Sequence, residues 1–181
     1  MRIIAGTHKS RTLYSLVGDS TRPTLDKVKE ALFGKIGPWI KDKHVLDLFA
    51  GSGNIGCEAL SRGAASCTFV EGSQAAMNIV KKNLESLNFK QAVYPYRMDA
   101  FQACRYLKNK GQIYDLIYLD PPYGKIEIDK LLSALLILTH ADSLIVLEHP
   151  KDFAYHEHEA YTLDKKMDYG SVALFYLRRK P

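Results

Sequence analysis

Between residues 44 and 148, short β-rich runs alternate with amphipathic helical stretches, and this alternation constrains the fold more than any other feature. It specifies βαβ units laid on a mostly parallel sheet. His44–Phe49 forms the first strand and stops at Ala50-Gly51-Ser52-Gly53, where a helix begins that runs to about Arg62 and ends at Gly63. Thr68–Glu71 is the second strand. The next helix, from about Gln74 to Leu87, places Met77, Val80, Leu84 and Leu87 on one face. Val93–Met98 follows as a third strand ending at Asp99, then a helix over 100–110. Tyr114–Leu119 runs into Asp120-Pro121-Pro122-Tyr123, and a helix over 127–138 leads to the strand Ser143–Glu148.

The end of the chain breaks the alternation. Residues 161–163 and 172–177 flank Asp168-Tyr169-Gly170 with no room for a crossover helix, so they form a terminal hairpin and put one antiparallel strand into the sheet. Residues 2–5 and 11–16 suggest a small hairpin around Gly6 to Ser10. Thr24 is placed to cap a helix whose face carries Leu25, Val28, Leu32 and Ile36. The chain therefore divides into an appendage over 1–43 and an α/β domain over 44–181.

With 181 residues and 46% hydrophobic content, the chain can build one ordinary core without disulfide or metal staples. No apolar run approaches the ~20 residues of a membrane span. The first residues lack a secretory signal, and Cys57, Cys67 and Cys104 lack metal-ligand spacing, which suits reduced, buried thiols in a cytoplasmic protein. His149, His156 and His158 lack matching carboxylates, so no metal is expected. The net charge of +5 is unevenly placed. Residues 1–43 hold nine Lys and Arg against four acids, while residues 44–181 hold 16 of each. The excess suggests a polyanionic partner for the first quarter of the chain.

Two motifs carry chemistry. Gly51-Ser-Gly53-Asn-Ile-Gly56 is a G-x-G-x-x-G between strand and helix, with Glu71 twenty residues after Gly51. Glycines let a ligand approach the backbone, and an acid ending the second strand accepts from ribose hydroxyls, so a nicotinamide enzyme must be weighed. Asp47, inside the first strand, would disfavour a pyrophosphate but could orient a cation such as S-adenosylmethionine. Asp99 is placed to accept from an adenine amino group, or else to cap the following helix.

The second motif is Asp120-Pro121-Pro122-Tyr123, which the nicotinamide reading leaves unexplained. The two prolines stiffen the turn, fixing the Asp120 carboxylate and the Pro121 carbonyl as paired acceptors for a planar amino group. Tyr123 can stack on the base carrying that amine. Exocyclic amines of bases are poor nucleophiles because their lone pair is delocalised. Two acceptors localise it and stabilise the charge that develops on nitrogen.

Asp-Pro-Pro-Tyr after the fourth strand, with a glycine loop after the first, resembles the class I S-adenosylmethionine-dependent amino-group methyltransferases. Met1-Arg-Ile-Ile-Ala-Gly6, Lys9-Ser-Arg11, the run Arg22–Phe33, Asp47–Gly53 and Glu58–Ala64 narrow the resemblance to the bacterial RsmD family. That family methylates the N2 amine of a guanine in 16S ribosomal RNA. The resemblance implies a Rossmann-like, seven-stranded, mostly parallel sheet with one antiparallel strand. It implies S-adenosylmethionine as cofactor and S-adenosylhomocysteine as product. Asp47, Ala50, Gly51, Gly53, Glu71, Gly72, Asp99 and Ala100 would bind the cofactor. Asp120, Pro121 and Tyr123 would carry catalysis on the target guanine. Arg2, Lys9, Arg11, Arg22, Pro23, Thr24 and Pro122 would bind the RNA, free or in an assembling small subunit, to a monomeric enzyme. The chain departs from the family at Ser10, where a glycine is expected.

Other readings keep the fold and change the role. One methylates adenine N6 of DNA or a protein amide. Another is a non-catalytic RNA-binding module. Lys27, Lys29 and Lys35 read as a solvated helix face, and Arg178-Arg179-Lys180 as a flexible basic tip.

Overall fold

The computed structural model describes residues 1–16 and 23–181. Helix α1 spans Pro23–Ile36, followed by a 3-10 turn at Gly37–Ile40. Then come β1 (His44–Leu48), α2 (Asn54–Ser61), β2 (Ser66–Glu71), α3 (Gln74–Leu87), β3 (Ala92–Arg97), α4 (Ala100–Asn109), β4 (Tyr114–Leu119) and α5 (Ile128–Leu135). Strands β5 (Thr139–Pro150), β6 (Tyr161–Tyr169) and β7 (Val172–Arg179) complete the chain. The strands form one seven-stranded sheet in the order β3-β2-β1-β4-β5-β7-β6. β7 runs antiparallel to both its neighbours, and the other described pairings are parallel.

Strands β1, β2 and β4 are buried along nearly their whole length, as parallel strands covered on both faces must be. Alternate residues feed two cores. Val45, Phe69, Leu116, Tyr118 and Val146 face the side covered by α1, α2 and α3. Leu46, Leu48, Val70, Ile117 and Leu147 face α4 and α5. Helix α3 presents Met77, Val80, Leu84 and Leu87 to the first core, as their spacing requires. Cys57, Cys67 and Cys104 are free and buried. Among the described residues, no helix is long and apolar enough to cross a membrane.

Several expectations change. The N-terminal hairpin is reduced to one bridge, Arg2 to Thr12, flanked by Ile3 N–H donating to the Arg11 carbonyl at 2.9 Å. The loop earns its shape from α2 instead: a Cβ on Gly6, whose φ is +88°, would lie 1.8 Å from the Ser61 carbonyl oxygen, so only glycine fits there. Helix α1 begins at Pro23, which puts Thr24 inside its first turn rather than ahead of it. A proline suits that first position because its missing N–H would have no helical acceptor. The terminal hairpin turns at 170–171, later than Asp168-Tyr169-Gly170, because β6 is longer than its apolar residues suggested. As an edge strand it needs apolar residues on one face only.

Charged residues correct two further expectations. Lys29 is fully buried, not solvated; its ammonium lies 3.4 Å from Glu58 and donates to Asn54 Oδ1 at 2.7 Å and to the Arg2 carbonyl. The basic tip is not free: Arg178 donates to the Asp142 carbonyl, Arg179 to the Thr139 carbonyl, and Lys180 pairs with Glu157. His158 is buried, its Nε2 3.0 Å from Ser133 Oγ. Among the described residues, no three His, Cys, Asp or Glu side chains are grouped to hold a metal ion.

Candidate active site

The chain reverses its direction of strand addition between β1 and β4, and open α/β sheets bind ligands outside the carboxyl ends of strands at such a point. A cavity of about 270 Å³ opens there. Asp47, Phe49, Ala50, Gly51 and Ser52 border it from the β1 end, Tyr118, Asp120 and Tyr123 from the β4 end, and Glu148 from β5. Of the residues singled out in the sequence, Asp47, Ala50, Gly51, Asp120 and Tyr123 line this one space.

The β1–α2 turn is built by backbone and buried acids. Phe49 takes a φ of +78°, a left-handed conformation that costs a side chain of this size ~1–3 kcal/mol and that recurs at functional sites. The Phe49 and Ala50 amides both donate to the Val70 carbonyl, at 3.1 and 2.9 Å, which pins the bent backbone to β2. Asp47 Oδ2 accepts from the Gly56 amide at 2.9 Å and so caps the start of α2. Burial pushes the Asp47 carboxyl up to about 7; the Gly56 hydrogen bond opposes this, and the nearby Glu71 adds to it. The three glycines serve different ends. A Cβ on Gly56 would meet the Phe69 ring at 2.3 Å, and one on Gly53 would press on it at 3.3 Å. A Cβ on Gly51 would meet nothing within 4 Å, so this glycine faces open space.

Glu71 ends β2 with its carboxylate held by two amides, Gly51 N–H to Oε2 at 2.9 Å and Ser73 N–H to Oε1 at 2.8 Å. Each oxygen keeps a lone pair for a further donor. Gly72 follows it. Asp99 caps α4 by accepting from the Gln102 amide at 2.9 Å, and Ala100 is the buried first residue of that helix. These four residues lie at the ends of β2 and β3, beside the cavity rather than on its lining.

Past β4 the chain stiffens. Pro121 is buried and Pro122 exposed. The Pro122 carbonyl accepts from the Lys125 amide at 3.2 Å, whereas among the described residues no backbone amide takes the Pro121 carbonyl. Burial raises the Asp120 carboxyl, and the charges of Glu148 and Asp47 raise it further. The Tyr123 ring is 46% exposed and lies 5.0 Å from the His149 ring, which in turn lies 3.9 Å from Phe153.

The described N-terminal candidates are not on the cavity lining, although their neighbours Met1 and Val28 are. Arg2, Lys9 and Arg11 are exposed, and Arg11 donates to the Ser86 carbonyl at 3.0 Å. Pro23 and Thr24 form the first turn of α1, and Arg22 lies outside the described residues. The segment is tied down by polar bonds. Glu58 of α2 accepts from the Ile4 and Ala5 amides at 2.8 and 3.0 Å while pairing with Lys29 and Arg62. Asn83 of α3 accepts from the Tyr14 amide at 2.8 Å and donates to the Tyr14 and Ser52 carbonyls, joining this segment to the glycine loop.

Sequence reasoning missed part of the lining. Met1 and Val28 close one side of the cavity, and Ser171 and Val172 another. The last two arrive because β7 is antiparallel, so its start lies at the carboxyl ends of the other strands. Tyr118 and Glu148 are joined by a hydrogen bond from the tyrosine hydroxyl to Oε2. A signal for Glu148 existed in the sequence: it is a charged residue closing an apolar strand, as Asp120 is.

The family model described as Conserved hypothetical protein 95 matches residues 1–178. A Bacillus subtilis relative named "Putative rRNA methyltransferase YlbH" is 37% identical over 99% of this chain and 100% of its own length. The "Ribosomal RNA small subunit methyltransferase D" of Haemophilus influenzae is 35% identical over 96% of this chain and 91% of its own. A solved structure titled "Putative methyltransferase yhhF from Escherichia coli" superposes with a TM-score of 0.85 at 31% identity, covering 99% of this chain and 98% of that one.

Proposed function

The chain belongs to the family described as Conserved hypothetical protein 95, the RsmD family its motifs resemble, and from that premise we propose that it methylates the N2 amine of a guanine in small-subunit ribosomal RNA. The carrying observation is the convergence of Asp120 and Tyr123 with the Gly51 loop on one cavity at the switch point of the sheet. The near relatives named for ribosomal RNA methylation support the substrate class.

The residues fit S-adenosylmethionine. Gly51 leaves room for a ligand against the backbone, Glu71 keeps acceptor capacity for ribose hydroxyls, and Asp47 presents a buried carboxylate to a cation. Asp99 retains an oxygen for an adenine amine. When bound, that cofactor supplies a methyl group on a positively charged sulfur and leaves as S-adenosylhomocysteine.

The chain does the rest. The Asp120 carboxylate and the Pro121 carbonyl accept the two hydrogens of N2, turning its lone pair toward the methyl carbon. Tyr123 stacks on the guanine and fixes the approach, since a near-attack distance of about 3–3.5 Å supplies much of the acceleration. As the N–C bond forms, Asp120 stabilises the positive charge on nitrogen and then takes the surplus proton on its carboxylate. Its raised affinity for protons suits it to that last step. Arg2, Lys9, Arg11 and Arg22 hold phosphates beside the extruded base without reading sequence. Pro23, Thr24 and Pro122 complete the RNA-facing surface.

Incubating the protein with methyl-labelled S-adenosylmethionine and small-subunit RNA, then digesting to nucleosides, tests this assignment. Label should appear as N2-methylguanosine. Label on adenosine, or none in RNA while the cofactor still binds, would overturn it.

A further inference from the structure

Resting on the guanine-N2 reading, we propose that Glu148 accepts the N1–H of the target guanine and so separates guanine from adenine in this site. Strands β4 and β5 pair in parallel with Leu119 opposite Leu147, so Asp120, just past β4, and Glu148, near the carboxyl end of β5, are the next residues in register. Adjacent strands lie about 4.8 Å apart, so the two carboxylates can meet neighbouring atoms of one base. Both border the same cavity. Glu148 is only 5% exposed, and the Tyr118 hydroxyl donates to its Oε2. Among the described residues no other hydrogen bond reaches this carboxylate, so Oε1 is left for a ligand. The next residue, His149, packs against Tyr123, which ties the orientation of the segment to the ring proposed to stack on the base.

The chemistry of the base then selects. The Watson–Crick edge of guanine offers three adjacent hydrogens, two on N2 and one on N1. Asp120, the Pro121 carbonyl and Glu148 are three acceptors. Adenine places an amine next to a bare N1 lone pair, which would face the Glu148 carboxylate with no hydrogen between them. A buried acceptor left without its donor is penalised more heavily than a missing contact in water. Glu148 therefore rejects adenine as well as binding guanine.

The test replaces the methylated guanosine of the RNA by 2-aminopurine riboside, which keeps the N2 amine but carries an unprotonated N1. Wild-type protein should methylate the analogue roughly 10- to 100-fold less efficiently in kcat/KM, the range of one good base-reading contact. Glu148→Gln keeps an oxygen for Tyr118 and can turn its amide N–H toward the bare N1. It should shrink the preference for guanine at least tenfold or invert it. A merely structural role would slow both substrates alike and leave their ratio unchanged, and that result overturns the proposal. Equal turnover of both bases by wild-type protein would overturn it without any variant. If instead the wild type puts no methyl on guanine N2, the underlying function fails first, and the two failures are told apart.

Discussion

Two sets of carboxylates, one a single residue and the other three, lie on the α1–α2–α3 side of this molecule, and they differ in how many partners the protein gives them. Glu58 on α2 is fully buried and receives two backbone amides, the Lys29 ammonium and the Arg62 guanidinium. Asp47, Asp120 and Glu148 stand near the carboxyl ends of their strands around a cavity, and the hydrogen bonds among the described residues are one amide to Asp47 and one hydroxyl to Glu148. A buried charge is tolerated only when paired, so the first set is complete and the second lacks donors. Glu58 acts as a staple that joins the N-terminal loop to the domain. The strand-end set waits for a ligand that brings positive charge and N–H groups, as a sulfonium amino acid and a guanine do.

The sharpest way to break this comparison is Glu58→Gln. Removing one member of a buried charged cluster costs about 3–5 kcal/mol, because Lys29 is left buried without its counter-charge. Chemical denaturation should show a loss of that size, and hydrogen exchange should show Ile4 and Ala5 amides losing protection. A loss below about 1 kcal/mol would mean that Glu58 is no staple.

The pH profile probes the second set. Asp120 is pushed up to about 8 by burial and by Glu148 and Asp47, and in the proposed mechanism only its ionised form accepts the proton of the methylated amine. Single-turnover methylation should therefore rise with pH, roughly tenfold per unit below that value, and level off above it. In Glu148→Gln the midpoint should move down, since one of the charges that raises Asp120 is gone. A flat profile between pH 6 and 8 would contradict the role of Asp120.

Charge on the N-terminal loop should act on RNA alone. Neutralising Arg2, Lys9 and Arg11 together should reduce the slope of log affinity against log salt by about 2, the share of three phosphate contacts on single-stranded RNA. Calorimetry should show unchanged cofactor affinity; a fall there would place these residues in the cofactor site instead. The smallest effect is expected at Ser10, which takes a φ of +68° where relatives of this kind were expected to have glycine. Ser10→Gly relieves that conformation and should stabilise the fold by up to about 1 kcal/mol in thermal unfolding.

The domain was far more legible in the sequence than the loop. Helix α3 follows from the spacing of Met77, Val80, Leu84 and Leu87, and the strand-end position of Asp120 follows from where an apolar run stops. Asp47 lies inside its apolar run and is marked instead by the glycine loop that follows it. These are local patterns. The burial of Lys29 is different, because it depends on Glu58 and Asn54 from another helix, a pairing that no local period encodes. One local hint was present, since Lys29 shares its helical stripe with Leu32, Phe33 and Ile36. Glu148 needed the β4–β5 register, and Val172 needed the direction of β7, before either could be placed at the cavity.

The central claim is that Asp120 directs methyl transfer to one guanine of small-subunit RNA. Mass mapping of 16S RNA from cells lacking this gene tests it most directly. One guanine should be unmethylated at N2, restored by the wild-type gene and left bare by Asp120→Ala, whose turnover should fall at least about 100-fold while cofactor binding persists. Restoration of that methyl group by Asp120→Ala would contradict the account.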